Sequence, residues 1–486
     1  MEWLLKNILL LAYITIKNYF CDMKPKQLLL IAGLACTLTT TAQYSKEYEN
    51  AIKNGGAVPV ATTSAETKAS APQNNWWSNF KDPILDSLIY LGQNNNLDLA
   101  QAMRRIEVAR YAIDEAKSGY YPQLNATLGW DRERSSAYTT RKKGAPMTSS
   151  ALSLGVSMSW EVDLFGRVQA KIKEQQGAFR ASRQDYDWMC VTISAEIVSA
   201  YMTLRTLQQE VIVTQEHIQQ QEKVLKITEA RHEAGLASML DVAQAKTVYY
   251  STQSTICTLE TQIATTINSI AVLTGTYPAQ MQSILSTPGP QPSTDWSLDV
   301  EINPDMLRNR PDVKEAEYTV EEMAAALGVA KKEWLPTLTL SAQVGSSAWY
   351  IKDMFKADSY TYSIAPQLSW TIFDGLSRNA QIASSREQML EAIDAYNLTL
   401  LTAVQEADNA LVSYRQAIKY EKEIQVVLEN ARLAYNLAID RYRQGLDAFI
   451  NVSDALMTVL EYANELVVAR GNVLTALVSL QKALTL

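Results

Sequence analysis

Residues 151–160 alternate between large apolar and small side chains, and this pattern constrains the fold more than any other feature of the chain. The large residues occupy every second position: Leu152, Leu154, Val156, Met158 and Trp160. A period of two is typical of a β-strand, in which successive side chains point to opposite faces. About ten residues is also the length that a tilted strand needs to cross a bilayer. The pattern therefore predicts a strand with one apolar face, long enough to span a membrane.

Three further stretches alternate in the same way, at residues 123–130, 337–344 and 361–371. A single strand of this kind is more typical of a half-buried sheet in a soluble protein. Four such strands in an otherwise helical chain favour a different interpretation. Their second face is small and rich in hydroxyl groups, as the water-filled lumen of a membrane β-barrel requires. We therefore predict strands at about 122–131, 151–161, 336–345 and 361–371.

Composition and charge exclude several classes of function. The 486 residues carry a formal net charge of −8, so there is no basic domain that could hold the phosphate backbone of a nucleic acid. The chain has only two histidines, His217 and His232, and their spacing of fifteen residues does not suit a shared metal. We see no catalytic constellation. The sequence predicts a protein that is not an enzyme and needs neither cofactor nor metal.

Residues 1–42 contain the pattern of a secretory signal peptide that starts at Met23. Basic residues follow Met23, an apolar run spans 28–38, and small residues end at Ala42. On this interpretation residues 1–22 are an upstream extension. The alternative is a genuine membrane anchor at residues 1–20.

Cys36 offers a second processing route, in which the chain is cleaved before the cysteine and the cysteine is acylated. Gly33 and Leu34 match the lipoprotein pattern poorly, because a leucine and then a small residue are usual at these positions. Residues 43–75 are rich in Ser, Ala, Thr, Asn and Gly, and they predict a flexible N-terminal arm.

We predict that the folded part of the chain begins at Trp76. From there the same succession of secondary-structure elements occurs twice. Ser159-Trp160 matches Ser369-Trp370, and residues 231–236 match 441–446, both at an offset of 210. This duplication defines a first repeat and a second repeat of helix, strand, strand and long helical hairpin. The predicted domains are repeat one at 76–275 with its hairpin at 166–274, a linker at 276–303, and repeat two at 304–486 with its hairpin at 376–484.

The long helices carry a seven-residue apolar repeat. No proline occurs between residues 167 and 277, and apolar residues recur every seven positions at Ile197, Leu204, Val211, Ile218 and Leu225. A sustained repeat of this length predicts supercoiled helix packing. A helix from about 166 to 233 would be about 100 Å long at about 1.5 Å per residue.

Four amphipathic strands cannot close a barrel, and lipid tolerates no open sheet edge. A closed barrel needs about eight strands or more, so the chain must oligomerise. Three copies would supply twelve strands, and the same symmetry would bundle the long helices into a hollow cylinder on one side of the membrane. The predicted fold class is mainly α with a membrane β-barrel.

Four short motifs follow one another along the chain: Trp77-x-x-Phe80-x-Asp82-Pro83, Glu161-Val162-Asp163-Leu164-Phe165-Gly166-Arg167, Arg310-Pro311-Asp312 and Ile372-Phe373-Asp374-Gly375. In this order, and with the duplication, the chain from Trp77 onward resembles the TolC-like outer-membrane efflux proteins, in particular their NodT-type branch. The resemblance implies a homotrimer with a twelve-stranded outer-membrane barrel and a periplasmic α-helical tunnel. It also implies docking to a periplasmic adaptor protein and an inner-membrane pump.

The resemblance assigns adaptor docking to the tips of the two helical hairpins. The candidate docking residues are Arg231, Gly235, Leu236, Arg441, Gly445 and Leu446. A simpler interpretation of the two glycines is that each ends a helix in the left-handed conformation. Both interpretations can hold at once.

The resemblance also implies a periplasmic gate beside these tips. The candidate gate residues are Asp241, Tyr442, Asp447, Asn451 and Asp454. The chain departs from the family's best-known member at two of them, because Asn451 replaces an aspartate and Asp447 replaces an arginine. Three copies of Asp241 and Asp454 would form an acidic ring that favours cations. Acids in the first turn of a helix are equally well explained by the helix dipole.

These features predict a passive exit duct for small toxic compounds, located in the outer membrane. One alternative is an outer-membrane channel for type I protein secretion. Another, from a different class, is a coiled-coil structural protein that never enters a membrane.

Overall fold

A computed structural model of the chain describes residues 75–134, 136, 148–292 and 304–485. The predicted signal peptide, the acylation site at Cys36 and the N-terminal arm up to residue 74 lie outside these residues.

The first half of the described chain contains five helices and two strands after a 3₁₀ turn at Trp76–Phe80. Their bounds are α1 Pro83–Asn95, α2 Leu97–Ser118, β1 Gln123–Arg134, β2 Thr148–Val162, α3 Arg167–Glu233, α4 Met239–Leu273 and α5 Pro278–Leu285. Asp82 caps α1 as its sequence predicts, because its Oδ1 accepts the Ile84 N–H at 2.9 Å and a proline follows it.

The second half repeats this order. Its elements are α6 Pro304–Leu307, α7 Pro311–Lys332, β3 Thr337–Ala348, β4 Tyr360–Ser369, α8 Ser377–Arg443 and α9 Phe449–Leu484, with 3₁₀ turns at Ile351–Asp353 and Ala357–Ser359. β4 ends at Ser369, so Trp370, which we expected to close this strand, lies just beyond it.

Three predicted elements differ in detail from the structure. The stretch at 276–303 is not only a linker, because α5 lies within it and buries Met281 and Leu285 one helical turn apart. The single helix expected before the strands of repeat two is broken before Pro311, whose ring cannot continue a helix from the preceding turn. The first helical segment is likewise broken at Asn96, which caps α2 by accepting the Asp98 N–H at 2.8 Å.

The duplication extends to the backbone conformation. Left-handed residues occur in pairs at an offset of 210: Gly166 with Leu376, Gly235 with Gly445, and Gly275 with Thr485. Side-chain contacts are also duplicated. The indole of Trp160 donates to the Tyr120 carbonyl at 3.0 Å, and that of Trp370 donates to the Trp334 carbonyl at 3.0 Å. Each hairpin of strands is therefore tied to its preceding helix in the same way.

A second duplicated contact joins the helix before the strands to the end of the returning helix. The amide of Asn96 donates to the Leu273 carbonyl at 2.9 Å in the first half. The guanidinium of Arg310 donates to the Ala483 carbonyl at 2.9 Å in the second half. In both halves the N-cap position of a helix satisfies a carbonyl left open at a helix C-terminus.

Arg310 is nearly fully buried, with 1% of its surface exposed, and it is the centre of this second contact. Its Nη2 lies 2.7 Å from Asp312 Oδ2 and 2.8 Å from Glu406 Oε2, and its guanidinium lies 4.8 Å from the Trp188 ring centre. The Arg-Pro-Asp motif thus ties α7 to α3, α8 and α9. Glu406 on α8 is one of its ion-pair partners, whereas Glu196, at the corresponding position of α3, is exposed.

The main hydrophobic core lies where these helices meet, and it draws on α1, α3, α4, α5, α8 and α9. Ile197 and Leu204, at the start of the seven-residue repeat, are fully buried there. Further along α3 the buried face of the helix consists largely of polar residues, and Val211, Ile218 and Leu225 are only half-buried. The buried polar residues are Thr214, His217, Gln221 and Thr228.

Candidate functional site

The four strands form one antiparallel sheet in the order β1-β2-β3-β4. The register brings apolar side chains, most of them large, into rows on one face, for example Leu124, Met158, Ala342 and Ile364, or Ala126, Val156, Val344 and Tyr362. Most of this face is exposed in the single chain; Leu128 is 72% exposed and Tyr362 85% exposed. Exposing an apolar surface of this size to water is unfavourable, whereas the hydrocarbon of a bilayer accommodates it.

The opposite face of the sheet is small and polar. Its rows are Gln123, Ser159, Ser341 and Ala365, then Asn125, Ser157, Gln343 and Ser363, then Thr127, Gly155, Gly345 and Thr361. At Gly345 the strands approach so closely that an added Cβ would lie 2.7 Å from the Leu154 carbonyl oxygen. Hydroxyl and amide side chains suit a water-filled lumen.

Both edges of the sheet are open. β1 pairs only with β2, and β4 pairs only with β3, so each outer edge presents backbone N–H and C=O groups without a partner strand in the described chain. In hydrocarbon such groups each cost several kcal/mol, on the order of the loss of a buried hydrogen bond. The sheet is complete only when another strand pairs with each edge.

The two hairpin tips have the same backbone geometry. Gly235 and Gly445 have φ angles of 74° and 76°, and each lies one residue before an exposed leucine, Leu236 or Leu446. The Leu236 N–H donates to the Arg231 carbonyl at 2.8 Å, and the Leu446 N–H donates to the Arg441 carbonyl at 3.0 Å. These are the hydrogen bonds of a Schellman motif, so the glycines end their helices, and the leucines that follow are free to contact a partner.

Arg231 joins the two tips inside one chain. Its Nη1 donates to the Tyr442 carbonyl at 2.7 Å, and its guanidinium carbon lies 4.6 Å from the centre of the Tyr442 ring. Tyr442 is buried, with 3% of its surface exposed, and its ring packs edge-on against Phe449 at 5.8 Å. The predicted gate tyrosine therefore lies in a small apolar cluster between the two hairpins, and its contact with Arg231 holds them together.

The predicted gate acids have separate surroundings. Asp241 forms a capping box with Ser238, since its carboxylate accepts the Ser238 N–H at 3.0 Å. Asp447 accepts hydrogen bonds from the Asn451 amide at 2.5 Å and from the Ala448 N–H at 2.9 Å, and it lies 3.3 Å from Arg441. These hydrogen bonds, that of Asn451 first, hold the pKa of Asp447 below its usual range. Asp454 is exposed.

A groove runs beside the tips, between α3 and α8 with α9 as its floor. Its cavity volume is about 630 Å³, and its lining includes Lys223, Arg432 and Arg443. His217 also lines it; this histidine is 5% exposed, and its Nδ1 has no hydrogen-bond partner in the described chain. Burial lowers the pKa of His217, so the ring is neutral at neutral pH. Sequence reasoning missed this groove, because it depends on which faces of three helices meet.

A half-buried acid, Glu210, lies on α3 seven residues before His217. Burial, and then the neighbouring carboxylate of Glu465, raise the pKa of Glu210 to about 7. Glu465 itself accepts the Tyr420 hydroxyl at 2.9 Å. Within the described residues, no group of three or more His, Cys, Asp or Glu side chains could hold a metal ion. His232 is occupied otherwise, with its Nδ1 2.9 Å from the Ala237 carbonyl oxygen.

Comparison with known proteins identifies the family to which this architecture belongs. The sequence model described as "Outer membrane efflux protein" matches residues 88–276 and 304–485, which is more than half of the chain. The chain belongs to the outer membrane efflux protein family. It is an outer-membrane protein whose strands lie in the membrane and whose long helices lie in the periplasm. Membership in this family of efflux channels overturns the alternative of a coiled-coil structural protein.

Individual relatives agree with this family over most of their length. The chain is 30% identical over 420 residues to the pyoverdine export outer membrane protein OpmQ of Pseudomonas aeruginosa, covering 84% of the chain and 86% of the relative. It is 28% identical over 431 residues to the toluene efflux pump outer membrane protein TtgC of Pseudomonas putida, covering 88% of both. The structure matches that of the outer-membrane channel OprN with a TM-score of 0.78 and 25% identity, over 88% of this chain and 98% of OprN.

Proposed function

We propose that three copies of this efflux protein form one passive exit duct, in which twelve strands close a barrel and the long helical hairpins enclose a periplasmic tunnel. The observation that carries the proposal is the four-stranded sheet with one apolar face and two open edges, β1 and β4. Pairing β1 of each copy with β4 of the next removes every open edge. Two copies would give eight strands, whose interior is filled by side chains, so three copies are the smallest set that leaves a water-filled path.

A mass measurement tests this proposal directly. The full chain, extracted from the outer-membrane fraction in detergent, should have three times the mass of the processed chain by light scattering on a size-exclusion column. Recovery of a monomer would contradict the proposal, because a monomer leaves both sheet edges unpaired in lipid.

We propose further that the tips dock a periplasmic adaptor protein, which connects the duct to an inner-membrane pump. Leu236 and Leu446 support this, because they are 69% and 64% exposed at the two hairpin tips, away from the membrane. The groove between α3 and α8 begins beside these tips, and its cavity volume is about 630 Å³. An adaptor helix in this groove could pack against apolar side chains such as Ile227 and Ile439, and it could pair an acidic side chain with Arg443.

The duct does no chemistry in this proposal and therefore needs no cofactor. Energy and selection belong to the pump, and the duct supplies a polar path. The named cargoes of the relatives support this division, because a toluene efflux protein and a pyoverdine export protein are both similar to this chain. We propose small toxic compounds as the cargo class.

We propose that Tyr442 belongs to a periplasmic gate and that its contact with Arg231 stabilises the closed state. Arg231→Ala removes the hydrogen bond to the Tyr442 carbonyl and the cation over its ring, and these are the contacts that join the two hairpin tips. A charged hydrogen bond contributes about 1.5–3 kcal/mol, so we expect a shift of at least about ten-fold toward the open state. The readout is the resting conductance of the purified protein in a planar bilayer.

Arg441→Ala is the matched control for this measurement. Arg441 stands at the same place in the second repeat, carries the same charge and contacts Asp447 within its own hairpin. Its loss should change the conductance much less than the loss of Arg231. Equal effects of the two substitutions would show that charge at the tips matters and that the link between the hairpins does not.

A further inference from the structure

The hairpin of β1 and β2 extends beyond the rest of the sheet at its external end. β1 pairs with β2 as far as Arg134 and Thr148, whereas β2 pairs with β3 only as far as Leu152 and Ala348. Because the helices leave the opposite end of the strands toward the periplasm, this projecting end faces the outside of the cell.

Charges on the projecting hairpin are sorted by face. Arg132 and Arg134 continue the apolar face that ends with Trp130, because alternate residues of a strand share a face. Asp131 and Glu133 lie on the lumen face. Within the described residues, neither guanidinium has a carboxylate partner, and both arginines are exposed. The cations therefore point toward the lipid side, and the acids point into the lumen.

Two tryptophans mark the depth of these arginines. Trp160 lies at the periplasmic end of the apolar face, and Leu152, eight residues away on β2, pairs with Trp130 at the external end. Eight residues span about 27 Å along a strand, or about 20 Å across a membrane at the usual tilt, close to the height of an outer-membrane apolar band. Arg132 and Arg134 lie about 7 and 14 Å further along the strand, at the level of the lipid headgroups.

We propose that the lipid-side face of this projecting hairpin binds the phosphate group of a lipid headgroup in the outer leaflet. Ser150 lies opposite Arg132, and Thr148 lies opposite Arg134, so two guanidinium groups and two hydroxyl groups share one small surface. Guanidinium groups match phosphate oxygens through paired hydrogen bonds, and hydroxyl groups supply further donors. The partner is a lipid because the surface is continuous with the apolar face below it, which holds the acyl chains.

A binding measurement on the full chain tests the proposal. The protein in dodecyl maltoside micelles is titrated with a fluorescent diphosphorylated glycolipid, lipid A, and in parallel with a fluorescent zwitterionic phosphatidylcholine. The double variant Arg132→Gln/Arg134→Gln should bind lipid A about 30-fold more weakly, since each cation near a charged lipid surface contributes about a factor of five. Binding of phosphatidylcholine should not change.

Two further variants make the result decisive. Lys419→Gln/Lys422→Gln removes the same charge from exposed positions on the periplasmic helix α8 and should bind lipid A as the unchanged protein does. Arg132→Lys/Arg134→Lys keeps the charge and should retain most of the affinity. The proposal is overturned if the arginine-to-glutamine variant binds normally, or if both glutamine variants weaken equally. Displacement of lipid A by millimolar inorganic phosphate would overturn the choice of a lipid and assign the surface to free phosphate.

Discussion

Val156→Arg will abolish stable insertion of this protein into the outer membrane. Val156 lies at the middle of the apolar face of β2, four residues from Trp160 at one end and four from Leu152, the partner of Trp130, at the other. An arginine at the bilayer midplane of a barrel costs about 2–4 kcal/mol, and a trimer would carry three copies, which gives about 6–12 kcal/mol. We expect the variant to be lost from the outer-membrane fraction and to give no oligomer in detergent.

Ser157→Arg is the matched control, one residue away on the same strand. Ser157 lies on the lumen face between Asn125 and Gln343, so its arginine would point into water. We expect this variant to insert normally and to keep its oligomeric mass. The opposite outcome, in which Val156→Arg inserts and Ser157→Arg does not, would mean that the two faces of the sheet have been assigned the wrong way round.

Arg310→Ala will strongly destabilise the periplasmic helical part of the protein. The substitution leaves Asp312 without its cation and the Ala483 carbonyl without its donor, next to the ring of Trp188. Removing one member of a buried ion pair costs about 3–5 kcal/mol. Because the side chain of Glu406 is 51% exposed, solvent screens part of this loss, and we expect about 3 kcal/mol. The measurement is the loss of helical circular dichroism with guanidinium chloride in detergent.

The duplication supplies the control for Arg310. Asn96→Ala removes the corresponding contact in the first repeat, a neutral hydrogen bond to the Leu273 carbonyl together with the cap of α2. It should cost about 1–2 kcal/mol, which is less than the loss of Arg310. The cost of Arg310→Lys should fall between these two values, because lysine keeps the charge but lacks the planar guanidinium group that makes paired hydrogen bonds. Equal costs for Arg310→Ala and Asn96→Ala would show that the buried charge adds nothing to the duplicated contact.

Local patterns in the sequence predicted most of the secondary structure. Alternation with period two located all four strands to within about three residues, because a strand that separates lipid from water must alternate at every position. Gly235 and Gly445 located the turns of both hairpins, because the left-handed residue after a helix favours glycine. The asymmetry of the two sheet faces was equally visible, because it depends only on the identity of alternate residues.

Contacts between distant residues were not predictable in this way. The partner of Arg310 in α8, Glu406, is 96 residues away, and Tyr442 is 211 residues from the Arg231 that binds it. The resemblance suggested Tyr442 for the gate but did not show that it is buried. Nor did the apolar repeat of α3 show that His217, Thr214 and Gln221 would lie on the buried face of this helix.

The sequence alone therefore determined the repeated elements, the two faces of the sheet and the need for more strands than one chain supplies, because these follow from the period and length of local segments. Only the tertiary structure decided which side of each long helix is buried. A helix of 67 residues, such as α3, presents several faces, and the α7, α4 and α9 surfaces that pack against it select among them. The groove beside α9, the Arg231 contact with Tyr442 and the buried Arg310 all follow from that selection.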